Sequence, residues 1–180
     1  MLYLYDNLYA DKKVYFAGPE VHFPTWGIRE IAAAKATAEA WGVSTSRPGD
    51  QLQPDVSGMP DKKAKAAAIF KDIVAKMKES DYLIANIEFF RGREPDSGTT
   101  FDIGMAHALG LKTYVYSRNK RKNIFKDQFA HLDSSTGIVL DPDGRALPEK
   151  DSTVNAMISC SSKVLQGESF EAGIHQLFLD

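Results

Sequence analysis

Short apolar runs alternate with longer amphipathic stretches along the chain, and this alternation predicts strands separated by helices. The runs predict strands at 13–17, 43–46, 82–87, 113–117 and 137–140. The stretches predict helices at 25–41 and 61–80, a short helix through Asp102, and a final helix from 151 or 152 to about 166. Such an order favours a parallel sheet with helices on both faces, because parallel strands need crossover connections.

The number and spacing of the strands match a flavodoxin-like α/β fold. We expect a doubly wound five-stranded parallel sheet in the order 2-1-3-4-5. Residues 13–180 are expected to form a single domain, preceded by an extension at 1–12. Residues 47–60 are rich in proline and glycine, and a loop this long in a compact domain is usually functional or mobile.

Composition narrows the classes of partner. The chain has 180 residues, is 43% hydrophobic and carries a formal charge of −2, which gives no general attraction to nucleic acid or anionic membranes. No apolar run approaches the roughly 20 residues that span a bilayer. Cys160 is the single cysteine, so the chain has no internal disulfide and a cytoplasmic setting is expected.

A polar stretch from Pro95 to Gly110 follows the third predicted strand and carries Asp102 into a helix. The carboxyl ends of strands form the ligand-binding edge of an open α/β sheet, so we expect Asp102 to lie beside a bound molecule. Asp96 lies on the same loop, and Asp72 lies on the preceding helix among apolar residues. Taken singly, each has a structural explanation: a turn or cap for Asp96, the helix dipole for Asp102, and solvent exposure for Asp72.

Together, these aspartates permit cleavage of a glycosidic bond. One carboxylate stabilises or traps the oxocarbenium-like centre, and a carboxyl group of raised pKa protonates the departing group. Tyr15, in the first predicted strand, is a candidate to orient the nucleophile, although an ordinary strand tyrosine explains it equally well. The sequence contains no phosphate loop or dinucleotide fingerprint, and its histidines at 22, 107, 131 and 175 lack metal-ligand spacing.

The segments that carry these residues resemble the nucleoside 2-deoxyribosyltransferase family. Asp96-Ser97-Gly98-Thr99-Thr100-Phe101-Asp102-Ile103-Gly104-Met105-Ala106 is similar to the family signature Asp-x-Gly-x-x-x-Glu-x-Gly-x-Ala. The likeness extends from the opening Val14–Pro19 to the segment 155–158. It implies transfer of 2-deoxyribose between nucleobases through a covalent intermediate, without a metal or organic cofactor.

The resemblance also implies roles for particular residues. Asp102 occupies the nucleophile position, where the family usually has the longer glutamate, and Tyr15 matches the tyrosine that holds the nucleophile. Asp72 and Asp96 match residues that contact the base and manage its protonation. The substrate-binding positions are assigned to Gly18, Gly98, Asn155 and Met157. The last two resemble an Asn-x-Met segment that a neighbouring subunit contributes, which implies a homo-oligomer.

Two other functions remain open at the level of sequence. A nucleoside or nucleotide N-glycosidase would use the same intermediate but let water attack it, and a nucleoside-binding module would have no activity. Exclusion of water by a partner subunit and by the loop at 47–60 would favour transfer. Glu20, after the first predicted strand, counts against a 5′-phosphate, because a phosphate site there would be rich in serine or arginine. The base preference, purine or pyrimidine, is not fixed by the sequence.

Overall fold

The computed structural model describes residues 11–47, 58–59, 61–92, 94–118, 131–140, 143–146, 154–165, 169–177 and 179. Three predictions fall wholly or largely outside these residues: the extension at 1–12, the loop at 47–60 and the start of the final helix at 151 or 152.

Seven strands and five helices make up the described part of the chain. The strands are β1 (Lys13–Ala17), β2 (Ser44–Ser46), β3 (Tyr82–Asn86), β4 (Lys112–Tyr116), β5 (His131–Leu132), β6 (Val139–Leu140) and β7 (Lys163–Val164). The helices are α1 (Trp26–Ala40), α2 (Lys62–Lys78), α3 (Ser97–Ala108), α4 (Ala156–Ser161) and α5 (Phe170–Leu177), with a 3₁₀ turn at Pro19–His22. None of these helices is long and apolar enough to cross a membrane.

The main sheet confirms the predicted fold. Its strands lie in the order β2-β1-β3-β4-β7, and every neighbouring pair is parallel. The carboxyl ends of the strands therefore meet at one edge. Asn86, the last residue of β3, lies opposite Tyr116, the last residue of β4.

Successive residues of the central strands point to opposite faces, and each face has its own hydrophobic core. Helices α1 and α5 cover one face with small and apolar side chains: Ala34, Ala38, Phe170, Ile174 and Leu177. Helices α2, α3 and α4 cover the other: Met77, Ile103, Ala106 and Ile158. Burial on both faces explains why these strands read as continuous apolar runs in the sequence.

The fifth strand of the main sheet is not the one that the sequence predicted. The predicted last strand at 137–140 forms only β6, which pairs antiparallel with β5 in a separate two-stranded sheet. The edge position beside β4 belongs to β7, through the pairs Tyr114–Lys163 and Val115–Val164. Periodicity in the sequence can locate a strand but does not show which strands are neighbours in a sheet. A two-residue strand such as β7 also carries almost no periodic pattern.

The predicted final helix is also shorter than expected. It begins at Ala156, ends at Ser161, and is followed directly by β7. The hydroxyl groups of Ser161 and Ser162 donate to the carbonyl oxygens of Met157 and Ile158. These bonds satisfy carbonyl groups that the end of a helix leaves free, so the chain can become extended at Ser162.

Helix α5 lies after the last helix that the sequence pattern predicted. Its buried residues are Phe170, Gly173, Ile174 and Leu177, which have the spacing of one helical face. Gly173 lets the helix approach β3 closely, because a Cβ atom there would lie 2.7 Å from Cγ2 of Ile84.

We expect Gly173→Ala to lower the free energy of unfolding by about 1–3 kcal/mol, because the added methyl group overpacks the contact with Ile84. Gly104→Ala is the matched control: it lies in α3 with no neighbour within 4 Å of the added Cβ and should raise stability by up to about 1 kcal/mol. Urea unfolding measures both. Equal effects at the two positions would contradict close packing of α5.

Candidate active site

Asp96 lies at the end of the loop after β3 and directly precedes helix α3. The carboxylate oxygen Oδ2 of Asp96 accepts hydrogen bonds from the backbone N–H of Thr99 at 2.9 Å and from its hydroxyl at 3.1 Å. This is the arrangement of a helix N-cap. A Cβ atom at Gly98 would lie 3.0 Å from the same oxygen, so the small residue leaves room for the cap.

Asp102 lies in the second turn of α3, on its buried side. The buried residues Thr99, Asp102, Ile103 and Ala106 share one helical face. Ile103 and Ala106 pack against the sheet, whereas Asp102 borders a cavity. Its position is therefore fixed by the helix cap at one end and by core packing alongside.

The cavity has a volume of about 460 Å³ and lies beyond the end of β1. That volume lies within the range of small-molecule sites. Polar groups come from both sides of it, and apolar side chains from α1 and α2 complete the wall. The lining residues are Gly18, Glu20, Val21, His22, Phe23, Pro24, Ile28, Ile31, Arg47, Ile69, Ile73, Asp96, Gly98, Thr99 and Asp102.

Burial dominates the electrostatics of Asp102. The side chain is only 8% exposed, and this desolvation, together with the negative charge of Asp96, raises the pKa of Asp102 to about 7. The carboxyl group of Asp102 is therefore protonated at low pH and becomes an ionised, poorly solvated nucleophile as pH rises past about 7.

His22 lies next to Asp96. Its Nε2 atom lies 3.6 Å from Oδ1 of Asp96, and its ring stacks on Phe90 with 4.8 Å between centroids. The spacing of the histidines in the sequence does not indicate a role for His22 in the site. The one feature of the sequence that could have indicated His22 is its position just after the first strand, at the ligand-binding edge of the sheet.

The structure brings together four of the eight predicted site residues. Asp96, Asp102, Gly18 and Gly98 all border the cavity. The other four lie elsewhere: Asp72, Tyr15, Asn155 and Met157 are not among the described residues that line it.

Each of these four has a defined place in the fold. Asp72 pairs with Lys76 one turn along α2, at 2.6 Å, while its neighbours Ile69 and Ile73 border the cavity. Tyr15 is fully buried in β1, in the core that contains Ile103 of α3.

Asn155 and Met157 lie at the start of α4. The side chain of Asn155 caps the helix by accepting from the backbone N–H of Met157 at 2.9 Å. Met157 itself is 79% exposed. The roles assigned to these residues stay predictions.

A parallel α/β sheet with paired carboxyl groups beside a cavity defines a class, the α/β proteins that bind small molecules at the carboxyl edge of the sheet. The family model for nucleoside 2-deoxyribosyltransferases matches residues 14–157. The chain belongs to this family, and the resemblance noted in the sequence is confirmed.

Solved structures show the same fold. The 2-deoxyribosyltransferase from Leishmania mexicana is 25% identical, with a TM-score of 0.71 over 92% of this chain and 96% of that one. The 2-deoxyribosyltransferase from Bacillus psychrosaccharolyticus is 17% identical, with a TM-score of 0.55 over 86% of each chain. A conserved protein from Enterococcus faecalis V583 is 21% identical, with a TM-score of 0.55 over 93% of this chain and 98% of that one. A sequence comparison with curated proteins gives no match.

The raised pKa of Asp102 makes a prediction about stability. The folded state holds a proton that the unfolded chain releases, so the free energy of unfolding falls as pH rises from the ordinary aspartate pKa of 3.8 to about 7. In Asp102→Asn this dependence disappears. We expect the variant to gain on the order of 4 kcal/mol relative to wild type between about pH 4 and about pH 8.

Urea unfolding across this pH range measures the difference. Asp61→Asn is the control, because Asp61 is an exposed helix cap that is not among the residues lining the cavity, and asparagine caps equally well. If the difference in free energy of unfolding between Asp102→Asn and wild type stayed constant across this pH range, proton uptake by Asp102 would be contradicted.

Proposed function

We propose that the protein transfers 2-deoxyribosyl groups between nucleobases, with Asp102 as the nucleophile. The observation that supports this most directly is the buried Asp102 carboxyl group beside Asp96, in the wall of the cavity. A carboxylate in a site of low dielectric is poorly solvated, and a developing positive charge on the sugar compensates for that loss.

In the first half of the proposed reaction, an oxygen of the Asp102 carboxylate attacks C1′ of a 2′-deoxynucleoside. The bond between C1′ and the base nitrogen breaks, its electron pair leaves with the base, and the base takes a proton that Asp96 relays from solvent. A deoxyribosyl ester of Asp102 remains. In the second half, a nitrogen of the incoming base attacks C1′, the ester bond breaks, and the proton of that base passes back to solvent by way of Asp96. The carboxylate of Asp102 is regenerated.

Asp72 and Tyr15 are proposed to support this chemistry from their places in the fold. Asp72 assists in recognition of the base beside the cavity wall formed by Ile69 and Ile73. Tyr15, in the core that contains Ile103, positions the helix that carries Asp102. Gly18 and Gly98 are proposed to contact the substrate, because both border the cavity.

Transfer in place of hydrolysis requires that water be kept from the ester. Apolar side chains form much of the cavity wall, including Ile28, Ile31 and Ile73. We propose that a neighbouring subunit closes the site with its own Asn155 and Met157, because both are exposed in the single chain. The functional unit is then a homo-oligomer, and the expected setting is the cytoplasm.

A base-exchange assay tests the proposal. With 2′-deoxyinosine and free adenine, the wild type should form 2′-deoxyadenosine, and Asp102→Ala should lower that rate by at least about 10³-fold because the nucleophile is lost. Chromatography of both nucleosides measures the outcome. Free deoxyribose at the same rate with and without adenine would instead show a hydrolase, and no turnover would show a binding module. Full activity of Asp102→Ala would contradict the assignment of the nucleophile.

The pH dependence of the reaction separates the roles of the two carboxyl groups. Because Asp102 reacts only when ionised, kcat/KM should rise with pH through a midpoint of about 7. Asp96→Asn should move that midpoint to lower pH, since the negative charge of Asp96 helps to raise the pKa of Asp102. It should also reduce kcat about 10²-fold or more by removing the carboxylate that relays the proton to the base.

Asp72→Asn is the comparison variant for this profile. Asp96 is the charged side chain that raises the pKa of Asp102, so the loss of charge at Asp72 should leave the midpoint where it is, whatever it does to the rate. An unchanged midpoint in Asp96→Asn would contradict the coupling of the two carboxyl groups.

A further inference from the structure

In each half of the proposed reaction, a proton moves between solvent and Asp96. Asp96 is poorly placed to exchange that proton with water directly, because only 12% of its side chain is exposed. One of its carboxylate oxygens, Oδ2, accepts hydrogen bonds from the backbone N–H and the hydroxyl group of Thr99. A route for the proton therefore starts at the other oxygen, Oδ1.

His22 lies at that oxygen and also reaches solvent. Its Nε2 atom is 3.6 Å from Oδ1 of Asp96, and 42% of its side chain is exposed. The separation is slightly longer than an N–H···O hydrogen bond, and catalytic contacts of this kind often tighten only when substrate binds. His22 borders the cavity together with Asp96 and Asp102. The imidazole ring thus connects the cavity with the surrounding water.

The loop that leads to Asp96 also holds the ring of His22. The ring stacks on Phe90 with 4.8 Å between centroids and 20° between planes. Phe90 lies in the loop between β3 and α3, where its backbone N–H donates to the carbonyl oxygen of Glu94 at 3.0 Å. Asp96 follows in the same loop, so one short segment positions both the imidazole ring and the carboxylate. Stacking uses the face of the ring and does not occupy its edge nitrogens.

Imidazole suits the transfer of a proton in both directions, because it accepts a proton at one nitrogen and donates one from the other. In the first half of the reaction, the ring takes up a proton from solvent. Nε2 then passes a proton to Oδ1 of Asp96, as Asp96 delivers one to the departing base. In the second half, the proton of the incoming base follows the same route in reverse, and the ring returns it to solvent.

We propose that His22 is the proton relay between Asp96 and solvent. This inference rests on the proposed function, since the base-exchange reaction creates the demand for a proton at Asp96. His22 acts through Asp96, and the nucleophile remains Asp102.

The dependence of the rate on the leaving group tests the relay. Adenine needs a proton to leave 2′-deoxyadenosine, whereas the base of 7-methyl-2′-deoxyadenosine already carries a positive charge and leaves without one. In a single turnover, His22→Gln should slow release of adenine at least about tenfold, because proton transfer by a placed side chain contributes about 10²–10⁴-fold and water replaces part of it. Release of 7-methyladenine should change less than about twofold, because it needs no proton. Equal slowing of both substrates would overturn the proposal.

Two further variants separate the relay from packing. His22→Phe keeps an aromatic ring to stack on Phe90 but removes both nitrogens, so it should show the same selective loss as His22→Gln. His107→Gln is the same substitution at an exposed position of α3 and should leave both rates unchanged. A wild-type rate of adenine release in His22→Phe would overturn the relay and leave the ring a packing role.

Chemical rescue gives a readout that packing alone does not move. His22→Ala opens a space beside Asp96 that imidazole from solution can enter. Added imidazole should raise adenine release with its concentration, up to about the tenfold that the variant lost, by restoring the proton transfer. His22→Phe fills the space and should not respond. No rise in His22→Ala, or an equal rise in His22→Phe, would overturn the proposal.

Product analysis keeps this inference distinct from the proposed function. If the wild type exchanges bases and the variants show no selective loss, the relay is wrong and the transfer stands. If the wild type only hydrolyses 2′-deoxyadenosine but the selective loss and the rescue are present, the transfer is wrong and the relay stands, because the base needs a proton to leave in either reaction. A wild type that releases no base from either substrate would overturn both.

Discussion

Burial of the Asp102 carboxyl group is the constraint on which the site depends. Removal from water raises the pKa of the group to about 7, and the protein tolerates this because α3 is held from two directions. Asp96 caps the first turn, and Ile103 anchors the same helix in the core beneath the sheet. The carboxyl group is thereby kept beside the cavity, where ionisation is unfavourable until a positive charge develops next to it.

The same sheet edge holds a second acid in a different manner. Glu20 lies on a turn and not on a helix, and its place depends on the absence of side chains at Gly18 and Gly27. Asn86 donates to one carboxylate oxygen, and the other is buried without a hydrogen-bond partner among the described residues. In the proposed reaction, the pair on α3 makes and breaks bonds at C1′, and Glu20 takes no part in that chemistry.

The walls of the cavity connect these acids to the hydrophobic core. Ile69 and Ile73 come from α2, which packs on one face of the sheet, and Ile31 comes from α1, which packs on the other. The cavity therefore lies where the two layers of helices diverge beyond the strand ends, as in other open α/β sheets. A neighbouring subunit is proposed to complete it, since Met157 is exposed in the single chain.

The sequence by itself determined the central strands, the first three helices and the loop that carries Asp96 and Asp102, because these features depend on local periodicity and on a contiguous motif. The features that depend on contacts between residues distant in sequence were decided only by the tertiary structure. The edge of the main sheet was taken by Lys163–Val164 and not by 137–140, because strand neighbours are chosen by packing and not by periodicity. The contact between Glu20 and Asn86 joins residues 66 positions apart. Asp72 pairs with Lys76 and is not among the described residues that line the cavity. The sequence identified candidate acidic residues, but only the fold showed which of them border the same cavity.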